Sequence, residues 1–177
     1  MKNKVLTTAK ECAYVAVFTA LLIASQWVLS ALPNVEIVTV LFVCYAFVFG
    51  VRRSLVCATA FSLLRQFVFG FIPKVLILYL IFYNLLALLF GLLGKTRLSM
   101  AKRFVLVVVI VCVCTLVFTF LDNVLTTVWY GYSEKASKMY VTASIPVMIT
   151  HVISNTVGIL VLFLPLERVF ARIKTHL

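Results

Sequence analysis

The chain of 177 residues is 64% hydrophobic, and its mean hydropathy is +1.18. A soluble domain of this length has too little interior to bury so much apolar surface, so we predict an integral membrane protein. The formal net charge of +11 does not indicate nucleic-acid binding, because the basic residues lie in short connections between apolar runs, as the positive-inside rule expects.

Six apolar runs are predicted to cross the bilayer as α-helices, a crossing that takes about 20 residues. Pro33 ends the first run, and Pro73 marks a tight turn between the third and the fourth. The fold class is therefore an all-α bundle of six transmembrane helices in one membrane domain, residues 1–177. The predicted spans are 13–32, 35–50, 54–72, 74–94, 103–129 and 140–166.

The basic residues divide unequally between the two sides of this predicted bundle. The poorer side carries Lys74, Lys135 and Lys138. The richer side carries Lys2, Lys4, Lys10, Arg52, Arg53, Lys95, Arg97, Lys102, Arg103, Arg168, Arg172 and Lys174. The positive-inside rule places the richer side, and with it both termini, in the cytoplasm.

The first predicted span carries small residues at helical spacing. Ala16, Ala20 and Ala24 fall on one stripe of a helix, with Ala13 one turn earlier. Small side chains let a second helix approach closely in a membrane. The stripe packs either inside the same bundle or against a helix of another protein, and both interpretations stay open.

Polar and ionisable side chains inside the predicted spans are costly in lipid and mark candidate functional sites. Almost all lie between mid-membrane and the outer face, whereas the inner halves of four spans are nearly pure Val, Leu, Ile and Phe. We predict an outward-facing polar cavity that captures a small molecule, because a channel needs a polar path through both halves. The candidate binding residues are Glu36, Arg65, Gln66, Tyr83, Asn84, Asp122, Asn123, His151 and Asn155.

Two of these groups also have a purely structural interpretation. Arg65 is expected to form an ion pair with Asp122 or Glu36, and such a pair also serves to hold helices together. His151 and Asn155, four residues apart on one helix face, suit hydrogen bonds between helices. As ligand contacts, Arg65 suits a carboxylate or phosphate and an acidic residue suits an amine or amide.

The connection "YGYSEKASKMY", from Tyr130 to Tyr140, is predicted to be the longest outer loop. It is either a mobile lid over the cavity or a simple solvated linker.

Several enzymatic and redox functions lack their motifs. The five cysteines lie in or beside apolar runs without a CxxC pair, so neither a disulfide framework nor a metal site is predicted. The chain has no GxxxxGK[ST] loop for ATP hydrolysis. The segment "HVISN" has the HxxxN pattern of intramembrane metalloproteases, but the paired glutamates of those enzymes are missing. We expect no enzyme, no catalytic residue and no cofactor.

The whole chain resembles the substrate-binding (S) subunits of energy-coupling factor (ECF) vitamin importers, a type of ABC importer. The resemblance rests on six spans in about 180 residues, inward termini, the AxxxA pattern and the outward pocket. The segments "LPNVEIVTVLFVCYAFVFG", followed by "VRRS", and "IPVMITHVISNTVGILVLFLPLERV" are similar to members of that group.

The resemblance implies a partnership in the bacterial plasma membrane. Such a subunit binds a vitamin-like molecule from outside and docks on a coupling transmembrane subunit that carries two cytoplasmic ATPases. Ala16, Ala20 and Ala24 would form the docking stripe. The alternative function is a stand-alone facilitator for a small metabolite, which has no need of an alanine stripe on an exposed face.

Overall fold

The computed structural model describes residues 9–31 and 37–175, which form six α-helices joined by short connections and contain no strand. The helices are α1 (Ala9–Leu29), α2 (Val38–Phe49), α3 (Val51–Phe69), α4 (Pro73–Leu93), α5 (Met100–Trp129) and α6 (Glu134–Lys174).

Four of these helices, α1, α4, α5 and α6, are long and apolar enough to cross a membrane. Helix α2 has 12 residues, about 18 Å at 1.5 Å per residue, and α3 carries Arg52, Arg53 and Arg65. Each predicted span overlaps one helix, and the all-helical architecture is compatible with a membrane bundle. The crossing of the bilayer by all six helices stays a prediction.

Helix α2 forms the centre of the bundle. It is apolar on every side, as expected for a core helix or a membrane span, and all its residues except Leu41 are buried. It packs against α1, α3, α4 and α6. At its end Gly50 adopts φ of +81°, a conformation that glycine enters without strain, and the chain continues directly into α3.

Helices α1 and α3 run parallel, and this fixes which helix ends meet. Arg53 forms an ion pair with Glu11 near the N-terminal ends of both helices. Near the C-terminal ends Arg65 contacts Gln26. Because α4 follows α3 after the turn at 70–72, its first turns lie beside these C-terminal ends. Three helices therefore meet at the end of the bundle that is predicted to face outward.

The connection between α5 and α6 is shorter than expected. The turn covers 130–133, and α6 begins at Glu134, with Ser133 Oγ accepting a hydrogen bond from the backbone N–H of Ala136 at 3.4 Å. Lys138 donates to Glu134 one turn away at 2.6 Å. The prediction of a long loop over Tyr130–Tyr140 is wrong, because most of that polar segment extends α6 beyond its apolar part.

The C-terminal end of α4 lies very close to the start of α3. A Cβ placed on Gly91 would lie 2.6 Å from the backbone N and 2.8 Å from the Cα of Val51. Side chains cannot relieve a contact with backbone atoms. The close packing of these two helices therefore depends on glycine at this position.

We expect Gly91→Ala to destabilise the bundle by about 1–3 kcal/mol, although the same change in an exposed helix stabilises by about 0.5–1 kcal/mol. The measurement is the free energy of unfolding by SDS titration in mixed micelles. Gly158→Ala is the matched control, since its Cβ would meet side-chain atoms of Val40, at 2.8 Å, and no backbone atom, and it should cost less. A more stable G91A protein would contradict the close approach.

Candidate ligand-binding site

Arg65 lies in α3, one turn before the end of the helix, and only 8% of its surface is exposed. Its Nε donates a hydrogen bond to Gln26 Oε1 of α1 at 3.0 Å. The amide of Gln26 in turn donates to the hydroxyl of Tyr79 in α4 at 2.8 Å. The amide side chain of Gln26 is thereby fixed in orientation, with its oxygen toward the cation.

Two aromatic rings lie against the guanidinium of Arg65. Its Cζ is 4.3 Å from the ring centroid of Tyr79 and 4.8 Å from that of Phe69. Both distances are within the range of about 6 Å for cation–π attraction, which Arg shows more often than Lys. The rings and Gln26 together hold the guanidinium inside the bundle.

No carboxylate of the described ranges 9–31 and 37–175 lies within ion-pair distance of Arg65. The ion pairs there are Arg53–Glu11, Lys74–Asp122 and Lys138–Glu134. The two Nη groups of Arg65 likewise donate to no residue in these ranges. A buried cation thus keeps most of its donors available.

A series of aromatic contacts extends from Tyr79 across the bundle to α6. The ring centroid of Tyr79 is 5.3 Å from that of Tyr83 and 6.2 Å from that of Phe118 in α5. Phe118 in turn lies 5.8 Å from the ring of His151 in α6. We call this group, contributed by five helices, the Arg65 cluster. It consists of Gln26, Arg65, Tyr79, Tyr83, Phe118 and His151.

Asp122 does not pair with Arg65, so this one of the two expected ion pairs is wrong, while the other, with Glu36, lies outside the described residues. Its Oδ1 accepts a hydrogen bond from Lys74 Nζ at 2.8 Å, and the same ammonium donates to Thr126 Oγ1 at 2.6 Å. Lys74 lies in the first turn of α4, opposite the outer part of α5, so its side chain reaches Asp122. The acidic residue is neutralised there.

Two of the predicted site residues have partners at the α3–α4 pair, outside the Arg65 cluster. Gln66 donates to Ser62 O and accepts from the backbone N–H of Ile72, both at 3.3 Å, which closes the turn into α4. Asn84 donates to Leu80 O at 2.7 Å in its own helix, and its Oδ1 accepts from Thr59 of α3 at 3.4 Å.

Two further predicted residues lie in the seam between α5 and α6. Asn123 donates to Ser144 Oγ at 2.8 Å, and Asn155 donates to Thr115 Oγ1 at 3.1 Å. These are hydrogen bonds between helices, the structural interpretation already given for Asn155. Glu36 lies outside the described residues.

The predicted set thus contributes Arg65, Tyr83 and His151 to the Arg65 cluster, while Gln26, Tyr79 and Phe118 were missed. For Gln26 a signal exists, because it is the one amide side chain in an otherwise apolar part of α1. For Phe118 none exists, since an apolar residue in an apolar span does not indicate which neighbour it contacts.

The alanine stripe lies on the outer surface of α1. Ala16, Ala20 and Ala24 are exposed, whereas the buried face of the helix consists of Val15, Phe18, Thr19 and Leu22. A shallow groove of about 420 Å³ runs along the stripe, lined by Ala20, Ile23, Ala24, Trp27, Val28 and Val68. In the described part of the chain, the stripe therefore does not pack inside its own bundle.

Comparisons with family models, with curated proteins and with solved structures found no match to this chain. The likeness to ECF S subunits therefore stays a resemblance of the sequence.

The choice of ion-pair partner is testable by two double-mutant cycles. We expect Lys74→Met and Asp122→Asn to be coupled by about 0.5–3 kcal/mol, since the residues are in direct contact. Arg65→Met and Asp122→Asn should add within about 0.5 kcal/mol. The measurement is again the free energy of unfolding in mixed micelles. Strong coupling of Arg65 to Asp122 would contradict the arrangement.

Proposed function

We propose that the chain is the S subunit of an ECF-type importer in the bacterial plasma membrane, with both termini in the cytoplasm. It captures a vitamin or related micronutrient from outside and delivers it by docking on a coupling transmembrane subunit with two cytoplasmic ATPases. The observation that carries the proposal is the exposed position of Ala16, Ala20 and Ala24 on α1.

The physical reason is that lipid does not select small side chains. Between helices in a bilayer the hydrophobic effect gives no driving force, so association depends on close van der Waals contact over small residues. A face of alanines directed away from its own bundle suits the reversible approach of a second helix. A stand-alone facilitator has no use for such a face.

The two ends of the bundle differ in a way that supports capture rather than conduction. The Arg65 cluster lies near the C-terminal ends of α1 and α3. Toward their N-terminal ends the interior holds stacked rings: Tyr45 lies 4.1 Å from Phe18 and 4.7 Å from Phe49, with the Phe170 ring edge-on to Phe18 at 5.5 Å. A polar site closed below by packed aromatics retains its ligand until a partner rearranges the bundle.

Ala20→Trp should abolish association with the partner subunits while cargo binding remains. The indole holds a docking helix away from the stripe, and we expect at least a tenfold loss of association, about 1.4 kcal/mol. The measurement is the amount of ATPase that co-purifies with the tagged chain from membranes of its own host. Ala143→Trp, at an exposed alanine of α6, is the matched control and should retain the ATPases.

Three outcomes contradict the proposal in different ways. Equal retention of ATPases by A20W would show that the stripe is not the docking face. Loss of cargo along with partners would show that the stripe supports the fold. A wild-type chain that holds a small molecule near one per chain but co-purifies with no ATPase would favour the facilitator.

A further inference from the structure

Arg65 lies near the end of a helix, where a long side chain can reach the membrane–water interface, and yet it is buried. Long basic side chains in that position normally extend their charged ends into water. Arg65 instead turns inward to Gln26 of α1 and is 8% exposed. The sequence therefore keeps a cation inside the bundle, where removal from water is costly unless the charge is balanced.

The described surroundings leave this charge unbalanced. Gln26 and the two rings attract a cation but carry no net charge. Lys74 and Asp122 already neutralise each other. Counting Asp, Glu, Lys and Arg among the described residues, the Arg65 cluster carries one net positive charge.

From this we infer that the cargo is an organic monocarboxylate, and that its carboxylate binds Arg65. The inference rests on the proposed capture function and names the class of substrate. A carboxylate supplies the single negative charge that is required. A phosphate monoester carries about −1.5 to −2 at neutral pH, which would leave excess negative charge in the cluster, because Arg65 is the one Lys or Arg that the cluster contains.

The geometry of the guanidinium also suits a carboxylate. Because Nε is used by Gln26 and the rings of Phe69 and Tyr79 lie close to Cζ, the end of the fork with both Nη groups is left for the ligand. Two parallel N–H donors match the two oxygens of a carboxylate.

The test determines whether the cargo is an anion and whether its negative group is a carboxylate. Yeast extract is separated on an anion-exchange resin at neutral pH into a flow-through and a salt-eluted fraction, and each is added to the full chain purified in detergent. We expect the salt-eluted fraction to raise the thermal unfolding midpoint by about 5–11 °C, the shift for a ligand near 100 times its Kd. Amidation with carbodiimide and glycinamide should remove this activity, whereas alkaline phosphatase should not.

Variants connect the cargo charge to Arg65. R65Q should lose the stabilisation by the salt-eluted fraction. R97Q should keep it, since it removes the same charge from an exposed connection. Because R65Q risks misfolding, Q26E is the second variant: it retains Arg65 and places a carboxylate beside it. We expect Q26E to have a higher midpoint without extract and to lose the response to the salt-eluted fraction.

Each contrary result has a distinct meaning. Stabilising activity in the flow-through would contradict the inference of an anionic cargo but not the capture function. This result is expected if Glu36, outside the described residues, balances the charge of Arg65. Activity destroyed by phosphatase would replace the carboxylate with a phosphate. If the salt-eluted fraction stabilises Q26E as much as the wild-type chain, Arg65 does not bind the anion. If no fraction stabilises the wild-type chain, the capture function itself fails.

Discussion

The burial of α2 is the constraint on which the rest of the structure depends. This helix of 12 residues has no polar face and is buried on almost every side, and α1, α3, α4 and α6 supply its cover. Because α3 follows α2 directly and α4 follows α3, these successive helices alternate in direction. This alternation brings the C-terminal ends of α1 and α3 to the start of α4, where Gln26, Arg65 and Tyr79 meet.

A second constraint is electrostatic, and it concerns which charged side chains pair near the point where Gln26, Arg65 and Tyr79 meet. Lys74 and Asp122 satisfy each other at the start of α4, so neither is available to Arg65. The guanidinium is instead held by an amide and two rings, which orient it without neutralising it. If the cargo is an organic carboxylate, as we infer, its negative charge balances this buried cation and is the source of its affinity.

The positions of the helices were predicted from the sequence better than the contacts between helices. Apolar runs located all six helices, because hydropathy is averaged over many residues and tolerates local exceptions. Helix ends were less well predicted: α6 begins at Glu134 rather than near Tyr140, since Ser133 at its start and the Lys138–Glu134 pair stabilise a polar helical turn that hydropathy does not detect. The buried polar character of Arg65 was predictable, but its partner Gln26 was passed over among apolar neighbours.

The sequence by itself determined that this is an all-helical chain compatible with a membrane, which polar side chains lie within its apolar runs, and that three alanines share one stripe of α1. These properties depend on spacing along a single helix. Only the tertiary structure decided that Asp122 pairs with Lys74, that Arg65 lies with Gln26 and Tyr79, and that the alanine stripe is exposed. Each of these depends on how helices distant in the chain are rotated and placed against one another, and that is set by the packing around α2 rather than by any local pattern.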